Sequence, residues 1–164
     1  MAMAKSKRKM ETMHTIQKEF RFEAAHRLSL HEGACANIHG HSYRVVVSVT
    51  GELSNAGADT DMVMDFSELS KVVRGILDTG EWNGLKITPW DHALILWNGD
   101  NLIDILSETF DLRIVRLTHQ PTAEYMATLL ASMIQDGLEH AGSKATVCRV
   151  EVWETAKACA IWEL

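Results

Sequence analysis

Apolar and polar positions alternate over residues 16–22, with Ile16, Phe20 and Phe22 on one face and Gln17, Glu19 and Arg21 on the other. A period of two predicts a half-buried strand. Residues 43–50, rich in valine, predict a second strand, and the polar loop between them, 26–40, carries Gly33, Cys35 and Gly40. Over residues 65–80 the period changes. Phe66, Leu69, Val73 and Ile76 recur at spacings of three, four and three, the seam of an amphipathic helix ended by a glycine. A longer irregular stretch follows, with a candidate helix over 101–110 and a short strand over 113–118. Thr122 then offers an N-cap for a second long helix running to about Gly142, with Met126, Leu129, Leu130, Met133 and Ile134 on its apolar face. Residues 146–153 and 159–163 predict two closing strands around a turn at 155–157. This order predicts an α+β domain, an antiparallel sheet with its helices on one side. The other face and both edges then need cover, and self-association is the expected remedy.

Composition narrows the class. The chain has 164 residues, 46% apolar and 23% charged, the profile of one ordinary globular domain. No apolar run approaches the roughly 20 residues of a membrane-spanning helix; the richest, 125–134, is interrupted by Thr128 and Ser132. Sixteen basic against 22 acidic residues give a net charge of −6. Lys5, Lys7, Arg8 and Lys9 cluster at the start, and without them 12 basic face 22 acidic groups, or −10. A domain this acidic is a poor partner for nucleic acid, whose affinity comes mostly from neutralised phosphates. Residues 1–13 are expected to be a disordered basic tail and 14–164 a single domain. No apolar segment follows the basic residues, so they do not read as a secretory signal. Three cysteines, Cys35, Cys148 and Cys159, do not make a disulfide framework, and a cytoplasmic setting is expected.

Histidine carries the chemistry. His39 and His41 are separated by one residue, so in an extended chain both rings share a face. His26 closes the preceding strand and arrives beside them if the two strands form a hairpin. Three neutral imidazoles hold zinc tetrahedrally and leave the fourth position for water or substrate, the arrangement of a catalytic site. Chance proximity of surface histidines is the plain alternative. Cys35, four residues before His39, favours the metal: a thiol near a cation is easily ionised and serves as a general base. Its rival role is a fourth ligand, which would close the site and leave a catalytically silent, zinc-stabilised binding module.

Together these residues resemble the superfamily of 6-pyruvoyltetrahydropterin and 6-carboxytetrahydropterin synthases. The likeness begins at Phe22-Glu23-Ala24-Ala25-His26-Arg27-Leu28 and runs through Cys35-Ala36-Asn37-Ile38-His39-Gly40-His41. It continues at Met62-Val63-Met64-Asp65-Phe66, Asp91-His92, Pro121-Thr122-Ala123-Glu124 and Val152-Trp153-Glu154-Thr155. The three-residue gap between Cys35 and His39 is similar to the bacterial 6-carboxytetrahydropterin synthases of queuosine biosynthesis; the pyruvoyl enzymes usually have a longer one. The resemblance implies a tunnelling fold, a four-stranded antiparallel sheet with two long helices on one face. Trimers would close their sheets into a barrel and stack as a hexamer, with active sites between subunits. It implies conversion of 7,8-dihydroneopterin triphosphate to 6-carboxy-5,6,7,8-tetrahydropterin with loss of acetaldehyde and triphosphate. The runner-up is the pyruvoyl synthase, which keeps all the side-chain carbons.

By the same resemblance His26, His39 and His41 hold zinc, Cys35 accepts a proton, and Asp91 with His92 forms a second acid/base pair. Glu154 matches the glutamate that anchors the pterin, whose amino group and ring N–H suit one carboxylate. Thr122 and Glu124 carry over as substrate-binding candidates, although a helix cap and the helix dipole already account for them. Arg27, Arg44 and Lys157 are candidates for the triphosphate. Two departures stand out. The segment between His92 and Pro121 is long for the family, and Trp90 occupies a position where leucine usually precedes Asp-His. His14, His31, His119 and His140 read as surface or satisfied histidines, with His31 a candidate lid residue.

Overall fold

The computed structural model describes residues 12–164; the basic cluster from Lys5 to Lys9 lies outside the described residues. The elements are β1 (His14–His26), β2 (His39–Gly51), α1 (Phe66–Arg74), β3 (Glu81–Trp82), β4 (Leu85–Lys86), β5 (Ala93–Trp97), α2 (Leu102–Thr109), β6 (Ile114–Leu117), α3 (Ala123–His140), β7 (Thr146–Thr155) and β8 (Ala158–Glu163). All but the short β3–β4 hairpin build one sheet in the order β6-β5-β1-β2-β7-β8.

The expected four-stranded antiparallel sheet is present as β1, β2, β7 and β8, but it is only part of a larger one. Two further strands join its edge in parallel: β5 pairs with β1 and β6 with β5. The reason is a β5–α2–β6 crossover, since parallel neighbours need a helix-length return. Ala93-Leu94-Ile95-Leu96-Trp97 escaped the sequence reading because a short apolar run has no alternation to detect. β1 and β2 also extend beyond the predicted ranges, and that extension brings the histidines into the ladder.

The core lies between the sheet and its helices. Phe20 and Phe22 of β1, Tyr43, Val45, Val47 and Val49 of β2, and Val147, Val150 and Val152 of β7 meet Leu69 and Val73 of α1 and Met126, Leu130, Ile134 and Leu138 of α3. A register shift between Ser48 and Val49 keeps β7's valines in phase with the core. Asp65 caps α1, its carboxylate accepting from the Ser67 amide at 2.6 Å. The predicted seam holds at Leu69, Val73 and Ile76 but not at Phe66, which is 48% exposed; as the first helical residue it lies outside the packed turn, near the Lys18 ammonium. After Arg74 the helix widens into a π-turn over Gly75–Thr79. A side chain at Gly75 would meet the Glu81 carbonyl at 2.4 Å, so the turn needs glycine there. Trp90 is buried edge-on against Phe22, filling space a leucine would leave empty.

Candidate metal centre and acid/base groups

The antiparallel register of β1 and β2 sets His26 directly opposite His39 and Ala24 opposite His41. His39 and His41 are two residues apart on one strand, so all three rings fall on the same face. They continue the row of core residues past Phe22 and Tyr43. One ring nitrogen from each lies within 4.8 Å of the other two, and the Cys35 sulfur is not part of that group.

Hydrogen bonds fix which nitrogen faces inward. His26 Nδ1–H donates to the Pro121 carbonyl at 2.8 Å, and His39 Nδ1–H donates to the Asn37 carbonyl at 2.8 Å. Both rings, when neutral, therefore turn a bare Nε2 lone pair inward, and these two atoms stand 3.1 Å apart. Lone pairs this close repel unless a cation lies between them. His41 Nε2 is buried with no hydrogen-bond partner among the described residues. Burial, helped by the other two rings, lowers the His26 pKa to about 4, so this ring is neutral and ready to ligate. Tetrahedral zinc with ordinary Zn–N bonds spaces its ligand nitrogens about 3.3 Å apart, close to the separation of the His26 and His39 nitrogens. The residues fit a metal ion, and the carbonyls at the two Nδ1 atoms are the outer contacts such ligands usually make.

Glu154 stands at the mouth of this site. Its Oε1 is 3.8 Å from His26 Nε2, and its side chain is 28% exposed. Beneath it the Tyr43 hydroxyl is buried without a partner, and burial, reinforced by the Glu154 charge, pushes its pKa well above the usual phenol range. Tyr43 was missed in the sequence reading, although its phase with His39 and His41 marks it. Cys35 lies in a single 3-10 turn, Ala34–Ala36, half-buried, with its carbonyl accepting from the Leu28 amide at 2.8 Å.

Asp91 and His92 occupy a different setting. Asp91 accepts from the Glu23 amide at 2.8 Å and from His92 Nδ1 at 2.7 Å. Burial alone would raise its carboxyl, but the Glu23 amide, the His92 ring and the Arg113 guanidinium outweigh that and hold it below its ordinary value. His92 has φ of 57°, a left-handed conformation uncommon for a non-glycine residue, and its amide donates to the Glu23 carbonyl at 2.6 Å. His92 borders a cleft of about 520 Å³ lined in part by Glu23, His41, Ser42 and Arg113. The hydrogen bonds of Asp91 and His92 run to Glu23, Leu77 and Arg113 and within the pair, and among the described residues none runs to Cys35 or the trio.

The structure gives other candidates ordinary tasks. Thr122 caps α3, its hydroxyl accepting from the Tyr125 amide at 3.2 Å, and Glu124 is an exposed acid in that helix's first turn. Arg27, a triphosphate candidate, has its fork engaged by Asp100. Arg44 lies 4.1 Å over the Trp153 ring, and Lys157 sits in the exposed turn between β7 and β8. The His31 ring accepts from the Gly33 amide at 2.8 Å. No helix among the described residues is long and apolar enough to cross a membrane.

Fold and site together define an α+β protein with three histidines that could hold a metal ion at the end of a β-hairpin. The profile of 6-pyruvoyl tetrahydropterin synthase matches residues 15–163. The 6-carboxy-5,6,7,8-tetrahydropterin synthase of Haemophilus influenzae is 32% identical over 146 residues, covering 87% of this chain and 94% of that protein. The enzyme of the same name from Synechocystis is 44% identical over 93 residues, 52% of this chain and 71% of its own. An uncharacterized protein from Wolinella succinogenes has the same fold, with a TM-score of 0.72, 23% identity, and coverage of 93% of this chain and 98% of that one. The chain belongs to the 6-pyruvoyl tetrahydropterin synthase family.

Proposed function

We propose that this chain is a zinc-dependent 6-carboxytetrahydropterin synthase, converting 7,8-dihydroneopterin triphosphate to 6-carboxy-5,6,7,8-tetrahydropterin, acetaldehyde and triphosphate on the way to queuosine. The observation that carries the reading is the pair of imidazole lone pairs facing each other at 3.1 Å beside a third, unpartnered ring nitrogen. The names of the relatives that match over most of their length favour the carboxy product over the pyruvoyl one. A sulfur outside the ligand group speaks against a closed, silent site.

When bound, zinc supplies a Lewis acid toward the hydroxyl oxygens of the substrate side chain, making neighbouring protons easier to remove. His26, His39 and His41 hold it. Cys35, as thiolate, takes a proton from that side chain. His92, oriented through Nδ1 by Asp91, holds and returns a proton at Nε2. Glu154 receives the pterin amino group and ring N–H in a pair of charge-assisted hydrogen bonds, fixing the ring at the mouth of the site. Thr122 and Glu124 follow Pro121, whose carbonyl accepts from the His26 ring. β6 and β8 are the edges of the sheet. Association of copies along such edges, as trimers in a hexamer, would bring the Asp91–His92 pair of one protomer to Cys35 of another. Three free thiols fit a cytoplasmic setting.

Incubation of the zinc-loaded protein with dihydroneopterin triphosphate, followed by mass analysis and acetaldehyde trapping, tests the reading. Stoichiometric acetaldehyde and 6-carboxytetrahydropterin are expected. Turnover without acetaldehyde overturns the lyase assignment in favour of the pyruvoyl synthase.

A further inference from the structure

The long segment between His92 and Pro121 carries a buried acid, Asp100, whose side chain is wholly shielded from solvent. Its two oxygens take the Arg27 fork, Nε and Nη2, each at 2.7 Å. Oδ1 also accepts from the Leu102 amide at 2.9 Å, and the Ser29 hydroxyl donates to the same carboxylate. Arg27 Nη2 further reaches Asn101 Oδ1 at 3.1 Å. Ser29 Oγ in turn accepts from Gln120 Nε2 at 3.2 Å. The next residue, Pro121, supplies the carbonyl that takes the His26 Nδ1 proton.

Two routes from His26 therefore lead back to one carboxylate. The chain leaving His26 is tied to it through Arg27 and Ser29, and the acceptor of the ring proton is tied to it through Gln120. A buried ion pair is a weak source of stability, because desolvation consumes most of its Coulomb gain, but a bidentate pair admits one geometry. Here the fixed geometry is the direction of a ligand's lone pair. Burial alone would raise the Asp100 carboxyl, and its four donors hold it ionised.

We infer that Asp100 is a positioning residue of the metal centre: through Arg27, Ser29 and Gln120 it sets the orientation of the His26 ring and thereby tightens metal binding. The inference rests on the three-histidine reading above. It also gives the long segment after His92 a task, which is to deliver this carboxylate.

The test is titration of the metal-stripped full chain with Co(II), whose visible bands report ligand geometry. Asp100→Asn keeps the shape but removes the charge. It is expected to bind Co(II) about tenfold more weakly, with altered bands, the scale of loss known for outer contacts of metal ligands. Ser29→Ala leaves the ion pair intact and cuts the link to Gln120, and a loss of about threefold in the same direction is expected. Val147→Ala, a core truncation at the far end of β7, lowers Tm but leaves Co(II) affinity and bands at wild-type values, separating orientation from plain stability. Wild-type affinity and spectrum in both Asp100→Asn and Ser29→Ala overturn the inference; if Asp100→Asn does not fold, Ser29→Ala decides alone. Failure of the wild-type chain itself to take up Co(II) overturns the metal reading, a result distinct from wild-type-like binding by the variants.

Discussion

His26 is 2% exposed, locked at Nδ1 by a backbone carbonyl and faced by a second ring, whereas the His92 side chain is 72% exposed and held only by its neighbour Asp91. The first ring is preorganised by one chain's own strand register. The second is oriented but has no reacting partner within reach of its hydrogen bonds. The contrast teaches that the three candidate ligands converge within a single copy, whereas the Asp91–His92 pair is set apart from them, with a solvent-exposed ring. Burial accounts for the first state: a desolvated imidazole stays neutral and can ligate.

The sharpest way to break this comparison is to remove a ligand. His39→Ala is expected to lose zinc, read by elemental analysis, and on the order of 10³-fold or more in turnover, the several kcal/mol a Lewis acid provides. Normal zinc content in this variant would sink the trio. Next come the acid/base groups: Cys35→Ala and His92→Ala should each keep full zinc and lose about 10² to 10⁴ in kcat. Loss of zinc in Cys35→Ala would instead mean that its thiol closes the metal site.

Acid probes the buried histidine without mutation. In the metal-free protein His26 has a folded pKa of about 4 against an ordinary 6.5. The native state therefore binds fewer protons than the unfolded one between those values. The stability that neutral His26 contributes is complete above pH 6.5 and is lost as pH falls toward 4, by up to about 3 kcal/mol. Urea unfolding of the chelated protein at a series of pH values measures this, and a flat profile down to pH 5 would contradict it. Glu154→Gln is expected to raise KM about 10- to 100-fold with zinc content unchanged, because the amide carries no charge and has one acceptor, leaving one of the two pterin donors facing an N–H. The smallest effect is assigned to Thr122→Ala, about 1 kcal/mol of stability from the lost cap, with KM unmoved. A large rise in KM there would return Thr122 to the substrate site.

Much of the site was legible because its signals are local. The spacing of His39 and His41 fixes a shared face on any strand, and Asp91–His92 are adjacent and bonded to each other. Thr122 was readable as a cap, and it is one. Tyr43 was readable in principle from the same alternation. Arg27 misled: a basic residue beside a ligand looked free for phosphate, but it is engaged by Asp100, 73 residues away. The strand β5 was not legible, because a short, wholly apolar run carries no period to betray it, and although β6 was read as a strand, its parallel pairing with β5 was not.

The amino-acid sequence by itself determined the periodic elements, the face shared by two of the histidines, the caps and the acid balance, since each depends on backbone geometry within a few residues. Only the tertiary structure decided that His26 lies opposite His39, that Glu154 reaches the His26 ring, and that Asp100 closes on Arg27. Those pairings join residues far apart in the chain, and their geometry is set by strand register and core packing, which no short window of sequence contains.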